Sequence, residues 1–437
     1  MLLLQQNFLQ TLRRTQWLPP EKLLGYQARL LEDIARHAYT FVPFYRERLA
    51  PLFRQQACNL AAWREVPIVT RADIEAHGSA MRALAVPLTA ARETDGRTSG
   101  TTGPALDFAQ SELVGLTTAC LVERMLEAHK FDHSGHMARI RPAPAGSADY
   151  PDGREDQGWN LSHPHSRWSK LGIHASVEEQ LEWLVRRAPR YLNTRPSTAA
   201  ALARHALATG RSLALERIST IGEVLEPDAL DDIRRAFGCD VADNYGMNEA
   251  GYLGFQCPEG GGYHVSAEAV LIELLDDDGN PAAEGALGRI IISSFYNFAM
   301  PFLRYETGDF AVAAAGPCPC GRTLPRLQTI MGRQRDIFTL PDGSQYATRR
   351  WRAAFMEALQ AKQMQFIQSA PDAIEIRYVP KLPAGEPPDA SVVERLGHSI
   401  IHASVLCTAV AVPEIPRSPS GKFQDSISLV GKTADRK

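Results

Sequence analysis

The stretch GRTSGTTGPALDF, residues Gly96 to Phe108, contains six consecutive small or hydroxylated residues at positions 98–103. Glycine, serine and threonine are common in surface turns, because they adopt tight backbone conformations and form local hydrogen bonds. The same residue types also form loops whose backbone N–H groups and hydroxyls surround phosphate groups. Taken alone, the stretch is compatible with a flexible turn and with a phosphate loop. The rest of the sequence has to distinguish them.

Length and composition limit the class of protein. The chain has 437 residues, which predicts at least two domains. Charged residues make up 22% and hydrophobic residues 44%, as in soluble globular proteins. The net charge of −3, with both signs scattered along the chain, gives no indication of a nucleic-acid or membrane partner. No apolar run approaches the roughly 18 residues of a membrane span. The seven cysteines are odd in number and unevenly spread, so we expect a reducing, cytoplasmic environment.

Hydrophobic periodicity predicts an α/β protein. Between residues 21 and 40 apolar side chains recur at the spacing of one helix face, at Leu23, Tyr26, Leu30 and Ile34. Ser176 and Glu179 form a predicted capping box that opens another helix. Two apolar runs around an Asp-Gly-Asn turn predict a hairpin over 267–295, and residues 141–160 are predicted to be a long loop. Helices and strands alternate over about 330 residues, followed by a smaller α+β region.

Four other stretches carry residues that are suited to chemistry. They are STIGEVLEPDAL (219–230), VADNYGMNEAG (241–251), FLRYETGDF (302–310) and PRSPSGKFQ (416–424). Individually, Glu249 is compatible with a solvated loop acid, Asp309 with a turn acid, and Lys422 with a surface lysine. Their order and combination are more specific.

Together with the opening stretch, these segments resemble the adenylate-forming superfamily of acyl-CoA synthetases, adenylation domains and luciferases. Within it, the chain is most similar to the phenylacetate–CoA ligase family. The resemblance extends from about Arg29 to Lys422 and includes IARHAYTFVPFYRERL, VPIVTRADI, RYLNTRPSTAAALA and CPCGRTLPRLQTIMGRQRD.

The resemblance implies a role for each matching residue. The counterpart of Thr98–Pro104 in the family contacts the β- and γ-phosphates of ATP, which assigns nucleotide contacts to Thr98, Ser99, Gly100, Thr102 and Gly103, and a catalytic contact to Thr101. The loop lacks the GK[ST] ending of a Walker loop. Glu249 would act in catalysis by holding Mg²⁺, and Asp309 would accept hydrogen bonds from the ribose hydroxyls. The adenine pocket would be formed by Gly222, Glu223, Asn244, Tyr245 and Gly246.

The resemblance also implies a two-domain enzyme with a mobile lid. A large domain, residues 1–333, would bind nucleotide and acid, and a small mobile α+β domain, residues 334–437, would carry the catalytic Lys422. The family hinge matches GRQRD, with Arg333 near the nucleotide and Asp336 as the pivot. Lys422 would bridge the acid carboxylate and the α-phosphate of ATP. The implied product is an acyl-adenylate, formed with release of pyrophosphate and then attacked by a thiol.

A second group of residues has the composition of a metal site. Cys257 and His264 occur in CPEGGGYH, and Cys318 and Cys320 in GPCPCGR. Two pairs of cysteine and histidine ligands suit a closed, tetrahedral zinc site, although the spacing is not that of a standard finger. The alternative is three buried thiols and a core histidine. The family resemblance favours a structural zinc ion.

Departures from the family pattern leave the acceptor and the substrate open. No basic residue follows SGTTGP. Asn248 stands where the family more commonly has threonine, and Glu306 where it usually has arginine. IFTLPDGSQY replaces the family loop that helps to receive the pantetheine thiol. The acceptor is therefore CoA, an acyl or peptidyl carrier protein, or an amine. The family implies an aromatic acid and a homodimer. The competing hypothesis is a non-catalytic scaffold that binds nucleotide or zinc. For four histidines beside the predicted loop we expect no metal role and at most a place at the border of the acyl pocket. They are His133, His136, His163 and His165.

Overall fold

The computed structural model describes residues 2–54, 57–90, 93–97, 106–276, 278–333, 337–381, 390–416 and 425–430. The chain divides into two compact units, Met1–Ile330 and Met331–Lys437. Each unit has a hydrophobic core of its own. The two units are therefore described separately.

Helices and strands alternate along the first unit. Its helices are α1 (Leu2–Thr15), α2 (Pro20–Phe41), α3 (Tyr45–Arg48), α4 (Arg71–His77), α5 (Glu112–Ala128), α6 (Val177–Arg187), α7 (Pro196–Thr209) and α8 (Pro227–Phe237). Its strands are β1 (Glu93–Arg97), β2 (Asp107–Ser111), β3 (Met137–Arg141), β4 (Arg154–Gln157), β5 (Arg167–Gly172), β6 (Tyr191–Thr194), β7 (Arg217–Ile221), β8 (Asp240–Met247), β9 (Gly251–Gln256), β10 (Tyr263–Val265), β11 (Val270–Leu275), β12 (Leu287–Ser294), β13 (Tyr305–Ala313) and β14 (Arg326–Arg333), of which the residues after Ile330 belong to the second unit.

One mixed sheet organises this unit. Within the described residues it contains twelve strands in the order β11-β12-β13-β14-β10-β9-β8-β7-β6-β3-β5-β4. Strands β5, β3, β6, β7 and β8 run parallel to one another. Helices α6, α7 and α8 pack their apolar faces on this parallel part, as expected for crossover helices of an α/β sheet. The carboxyl ends of the parallel strands consequently meet along one edge, where ligands bind in open α/β sheets.

The local sequence signals explain several elements. The predicted capping box is confirmed, because Ser176 and Glu179 exchange hydrogen bonds at the start of α6. The predicted hairpin is confirmed as the antiparallel pair β11–β12. The helix predicted over 21–40 is α2, which starts at Pro20 and ends at Phe41. Proline suits the first helical position because its missing N–H has no partner there.

The prediction of a continuous loop over 141–160 is wrong in part. Residues 154–157 form β4, an antiparallel edge strand beside β5. Its sequence, REDQ, lacks the apolar alternation of a strand. Cross-strand ion pairs replace that alternation, with Asp156 2.8 Å from Lys170 and Glu155 3.2 Å from Arg167. Charged side chains are common on exposed edge strands, where they discourage further pairing.

The second unit is a small α+β structure. It contains β15 (Ile337–Thr339), β16 (Gln345–Ala347), α9 (Arg349–Ala358), β17 (Ala361–Ala370), β18 (Ala373–Pro380), α10 (Ala390–Leu396), β19 (Leu406–Ala411) and β20 (Ser426–Ser428). Strands β15 and β16 form a hairpin, and the other four form a sheet in the order β19-β18-β17-β20. The core between sheet and helices includes Trp351, Phe355 and Phe366.

None of the helices among the described residues combines the length and hydropathy required to cross a bilayer.

Candidate active site and metal centre

Several predicted nucleotide contacts lie at the carboxyl ends of β7 and β8. Gly222 and Glu223 directly follow β7, and Tyr245 and Gly246 lie near the end of β8. The two strands are parallel neighbours with Ile221 opposite Asn244, so the segments reach the same edge of the sheet. Gly222 has φ +93°, a conformation that favours glycine. The predicted adenine contacts are thus grouped in space.

Tyr245 connects this edge to Asp309. The Tyr245 hydroxyl donates a hydrogen bond of 2.8 Å to Oδ2 of Asp309. Asp309 lies in β13, directly after Gly308 at φ +75°, and its backbone N–H donates to the Thr307 hydroxyl at 3.0 Å. Tyr245 is buried, whereas Asp309 is only half-buried. An aromatic ring and a carboxylate, residue types suited to a base and a sugar, are therefore held side by side.

The side chains of Asn244 and Glu223 are bonded within the protein. The Asn244 amide donates to the Thr220 carbonyl at 2.8 Å and the Ala242 carbonyl at 2.9 Å, and it accepts from the Tyr252 hydroxyl. The Glu223 carboxylate accepts from the N–H of Ser197 at 3.1 Å, at the start of α7. These side chains fix the loop after β7 and the end of β8. Their predicted role at adenine would consequently fall to their backbone atoms.

Sequence reasoning missed Asp243, which lies beside the predicted residues. Its buried carboxylate accepts hydrogen bonds from the hydroxyls of Thr220 and Tyr263, the latter at 2.6 Å. Burial raises the pKa of Asp243 to about 6, although both hydroxyls oppose that rise. An acidic residue inside the apolar run of VADNYG was the available signal, because a buried carboxylate needs partners.

Glu249 lies in the turn between β8 and β9, and its neighbour Asn248 ties that turn to the base of the Gly/Ser/Thr loop. The Asn248 carbonyl accepts from Gln110 Nε2 at 2.5 Å, and Asn248 Nδ2 lies 3.5 Å from the Arg97 carbonyl. Arg97 ends β1, and it is paired with Asp107 at the start of β2. The two residues that flank 98–106 are therefore side by side, and β1 and β2 both contact the Glu249 turn, through Arg97 and Gln110.

Some predicted residues lie outside the described residues: Thr98, Ser99, Gly100, Thr101, Thr102, Gly103, Asp336 and Lys422. The backbone of Arg333 ends β14. The roles assigned to these positions remain predictions.

A narrow cavity lies next to the Glu249 turn. Its lining includes Ala250, Tyr252, Thr118 and Leu121 of α5, and Tyr296. None of the four histidines beside the predicted loop is among its lining residues. The expectation that they border an acyl pocket stays a prediction.

His133 instead forms an ion pair with Glu123 of α5. Its Nδ1 is 3.1 Å from Glu123 Oε1. The buried Glu123 carboxylate also accepts the N–H groups of Leu161 and Ser162 at 2.9 and 3.0 Å. The hydrogen bond to Glu123 raises the pKa of His133. The Glu123 carboxylate therefore ties both His133 and the loop around residue 161 to α5.

This pair predicts a pH-dependent contribution to stability. Because the folded pKa of His133 is raised, its contribution is complete below the unfolded value of about 6.5 and is lost as pH rises through the folded value. We expect His133→Asn to lower the free energy of unfolding by up to about 1 kcal/mol at pH 6 and by less at pH 8.5. Denaturant unfolding at both values measures the difference. A loss of unfolding free energy in His133→Asn that is larger at pH 8.5 than at pH 6 would contradict the ion pair.

The sheet brings Cys257, His264, Cys318 and Cys320 together. Cys257 directly follows β9 and His264 lies in β10, which pairs with β9 on one side and β14 on the other. Cys318 and Cys320 lie in the connection from β13 to β14. Glycine at position 261 allows the β9–β10 turn to pack closely against Cys318, because a Cβ there would lie 2.4 Å from the Cys318 sulfur.

The donor atoms of this cluster have the separations of a tetrahedral metal site. The Sγ atoms of Cys257 and Cys318 are 3.5 Å apart, and those of Cys318 and Cys320 are 3.4 Å apart. His264 Nε2 lies 3.2 Å from the Cys320 sulfur. All four donor atoms are within 4.8 Å of one another. A tetrahedron with zinc–sulfur bonds of about 2.3 Å has edges of about 3.8 Å. These sulfurs are too far apart for disulfides.

The electrostatics of the cluster also suit a metal. Burial lowers the pKa of His264 to about 3, so the imidazole is neutral and keeps a lone pair for coordination. Burial raises the pKa of Cys318 to about 12. A divalent cation would compensate the charge of a buried thiolate. The donor set and its spacing therefore fit zinc.

Sequence comparison finds two known enzymes that are similar to this chain over about three quarters of its length. No protein-family profile matches the chain. The chain is 28% identical to a phenylacetate–coenzyme A ligase of Thermus thermophilus over 351 residues, which cover 76% of this chain and 75% of that enzyme. It is 25% identical over 338 residues to a phenylacetate–coenzyme A ligase of Escherichia coli, with 73% of each chain covered.

Solved structures show the same fold. A 2-hydroxyisobutyryl-CoA ligase in the postadenylation state, in complex with 2-HIB-AMP, matches with a TM-score of 0.75 and 19% identity over 95% of this chain and 91% of its own. The anthranilate CoA ligase in complex with anthranoyl-AMP matches with a TM-score of 0.58 and 18% identity over 76% of this chain and 64% of its own. The chain has the fold of the adenylate-forming superfamily. In sequence it is similar to the two phenylacetate–coenzyme A ligases over about three quarters of the chain.

Proposed function

We propose that this protein is an ATP-dependent carboxylic acid ligase that works through an acyl-adenylate. The observation that carries the proposal is the contact of Asn248 with both Arg97 and Gln110. This contact supports the proposal because the turn that contains Glu249, the predicted magnesium ligand, contacts the two strands on either side of the predicted phosphate loop. The Tyr245–Asp309 pair supplies groups for the nucleoside at the neighbouring sheet edge.

The proposed chemistry has two steps. A carboxylate oxygen of the acid attacks the α-phosphorus of ATP, the bond to the β-phosphate oxygen breaks, and pyrophosphate leaves. A thiol then attacks the carbonyl carbon, AMP leaves with the bonding electrons, and the thiol proton is released. The first step brings two anions together, so it depends on positioning and on positive charge. Lys422 is proposed to supply that charge at the α-phosphate.

Glu249 is proposed to hold Mg²⁺, which would neutralise phosphate charge. Glu249 is 7% exposed in a turn anchored by its neighbour Asn248. Carboxylate oxygen is a preferred ligand of this cation. The second metal, zinc, is proposed to join the β9–β10 turn to the β13–β14 connection. Four protein ligands leave no position open to substrate, so its role would be structural.

The acid is proposed to be aromatic and the acceptor to be the thiol of CoA. The two curated relatives activate phenylacetate for CoA. A carrier-protein thiol remains the alternative acceptor.

The exchange of labelled pyrophosphate into ATP tests the first step. The wild-type protein is expected to catalyse exchange only when an acid from a panel of aryl and short acyl acids is present. CoA and a carrier protein are then compared as acceptors by detection of the thioester. No exchange with any acid, at full occupancy by ATP, would refute the proposed activity.

Asp309 provides a more specific test of the nucleoside site. We expect Asp309→Asn to raise the KM for ATP by about 10- to 100-fold, because hydrogen bonds to a charged group contribute about 1.5–3 kcal/mol. Glu306→Gln is the matched control, because Glu306 lies on the same strand and pairs with Arg289 at 2.7 Å. Initial rates at varied ATP concentration measure both. Equal KM values for the two variants would exclude Asp309 as a nucleotide contact.

A further inference from the structure

The side-chain amide of Gln368 joins two separate segments of the second unit. Gln368 lies in β17, and its side chain is 0% exposed. Its Nε2 donates to the Thr339 carbonyl at 2.7 Å, and the Thr339 N–H donates to its Oε1 at 3.2 Å. The same Oε1 accepts the Ser428 hydroxyl at 2.9 Å. One buried amide therefore bonds both β15 and β20.

These two segments lie next to the predicted hinge and next to Lys422, the parts of this unit to which the family resemblance assigns a function. Strand β15 begins at Ile337, directly after the predicted hinge residue Asp336. Strand β20 begins at Ser426, four positions after Lys422. Gln368 is thus connected to the first strand after the hinge and to the first strand after the lysine.

Strand β20 depends on such side-chain bonds. It has three residues and pairs in parallel with β17, with Phe366 opposite Ser426 and Gln368 opposite Ser428. A parallel pairing of this length contributes few backbone hydrogen bonds. The hydroxyl contact between Thr348 and Ser426 and the bond from Ser428 to Gln368 add to it. The position of the chain after Lys422 is consequently set in part by side chains.

Only an amide satisfies all three side-chain bonds of Gln368. The Thr339 carbonyl needs a donor, whereas the Thr339 N–H and the Ser428 hydroxyl need an acceptor. Glutamate would present an oxygen to the Thr339 carbonyl, and methionine would keep the shape but none of the bonds. The site therefore requires both halves of the carboxamide.

We propose that Gln368 is a positioning residue that fixes the strand after Lys422 relative to the strand after the hinge. The proposal rests on the ligase activity proposed above, since Lys422 acts in that reaction. Gln368 acts through other residues: its amide sets the register of β20 against β15, and β20 belongs to the first described segment after Lys422.

A double-mutant cycle tests whether Gln368 acts through Lys422. We expect Gln368→Met to lower the rate constant for acid-dependent pyrophosphate exchange by about 10- to 100-fold, with little change in the KM for ATP. In a Lys422→Ala background the same change is expected to have an effect of less than about twofold. Gln180→Met is the matched control, because that amide in α6 is also buried and donates to the carbonyls of Ile173 and Ala175.

Hydrogen exchange supplies a readout that does not depend on catalysis. In Gln368→Met we expect faster amide exchange in 337–347 and 425–430 together, with 373–380 and 406–411 unchanged. Uniformly faster exchange over this unit would indicate simple destabilisation and overturn the proposal. So would an unchanged rate constant, or equal losses in the wild-type and Lys422→Ala backgrounds. Absence of pyrophosphate exchange in the wild-type protein would instead refute the ligase activity itself. The pattern of amide hydrogen exchange would still test whether Gln368 joins β15 to β20.

Discussion

Replacement of Lys422 by alanine is expected to slow acid-dependent pyrophosphate exchange by about 10²–10³-fold, a loss typical of removing one donor that faces charge in the transition state. The KM for ATP is expected to change much less, because the proposed nucleotide contacts, Asp309 and Tyr245, belong to the first unit. An interaction made mainly in the transition state lowers kcat and leaves ground-state binding in place. Steady-state exchange rates at varied ATP and acid separate the two parameters.

Lys362→Ala is the control for this prediction. Lys362 is an exposed lysine of the same unit, in β17, so its removal changes the net charge equally. We expect its exchange rate to match that of the wild type. Equal pyrophosphate exchange rates for Lys422→Ala and Lys362→Ala would show that Lys422 has no part in the mechanism. If the wild-type protein binds ATP without turnover, and Lys422→Ala binds it equally well, the chain is a non-catalytic scaffold.

The sequence predicted the fold class and the superfamily, and both are confirmed. It also predicted local elements whose signals lie within a few residues. The capping box at Ser176 and the hairpin over 267–295 are examples, because capping and turn chemistry depend on neighbours in the chain. Strand β4 was missed because ion pairs with β5, such as that from Asp156 to Lys170, hold it in place of apolar side chains.

The sequence could not predict how the candidate site is assembled. The contact from Gln110 to Asn248 spans 138 positions, and the bond from Tyr245 to Asp309 spans 64. No periodic pattern encodes such pairs, since they depend on the order of strands in the sheet. The same applies to Gln368, whose partner Ser428 is 60 positions away. The residue types of a site can be predicted locally, whereas the bonds that hold them follow from topology.

Loss of zinc is expected to destabilise the first unit substantially. We expect the purified protein to contain about one zinc ion per chain, and Cys318→Ala to lose it. A ligand present at about 1,000 times its dissociation constant stabilises the folded state by about 4 kcal/mol. The corresponding fall in Tm is about 5–10 °C for a unit of this size. Metal analysis and calorimetry measure content and Tm.

Cys239→Ala separates coordination from packing, because Cys239 is also buried but lies outside the cluster. Both variants lose a buried sulfur, so a packing effect would lower the Tm of each by a similar amount. Coordination instead predicts that only Cys318→Ala loses zinc, and that a chelator lowers the Tm of the wild type and of Cys239→Ala but leaves Cys318→Ala unchanged. Because Cys257 and Cys318 lie 61 positions apart, the metal would crosslink segments that are distant in the sequence. Zinc-free protein whose Tm matches that of the wild type would show that four thiol and imidazole groups can pack here without an ion.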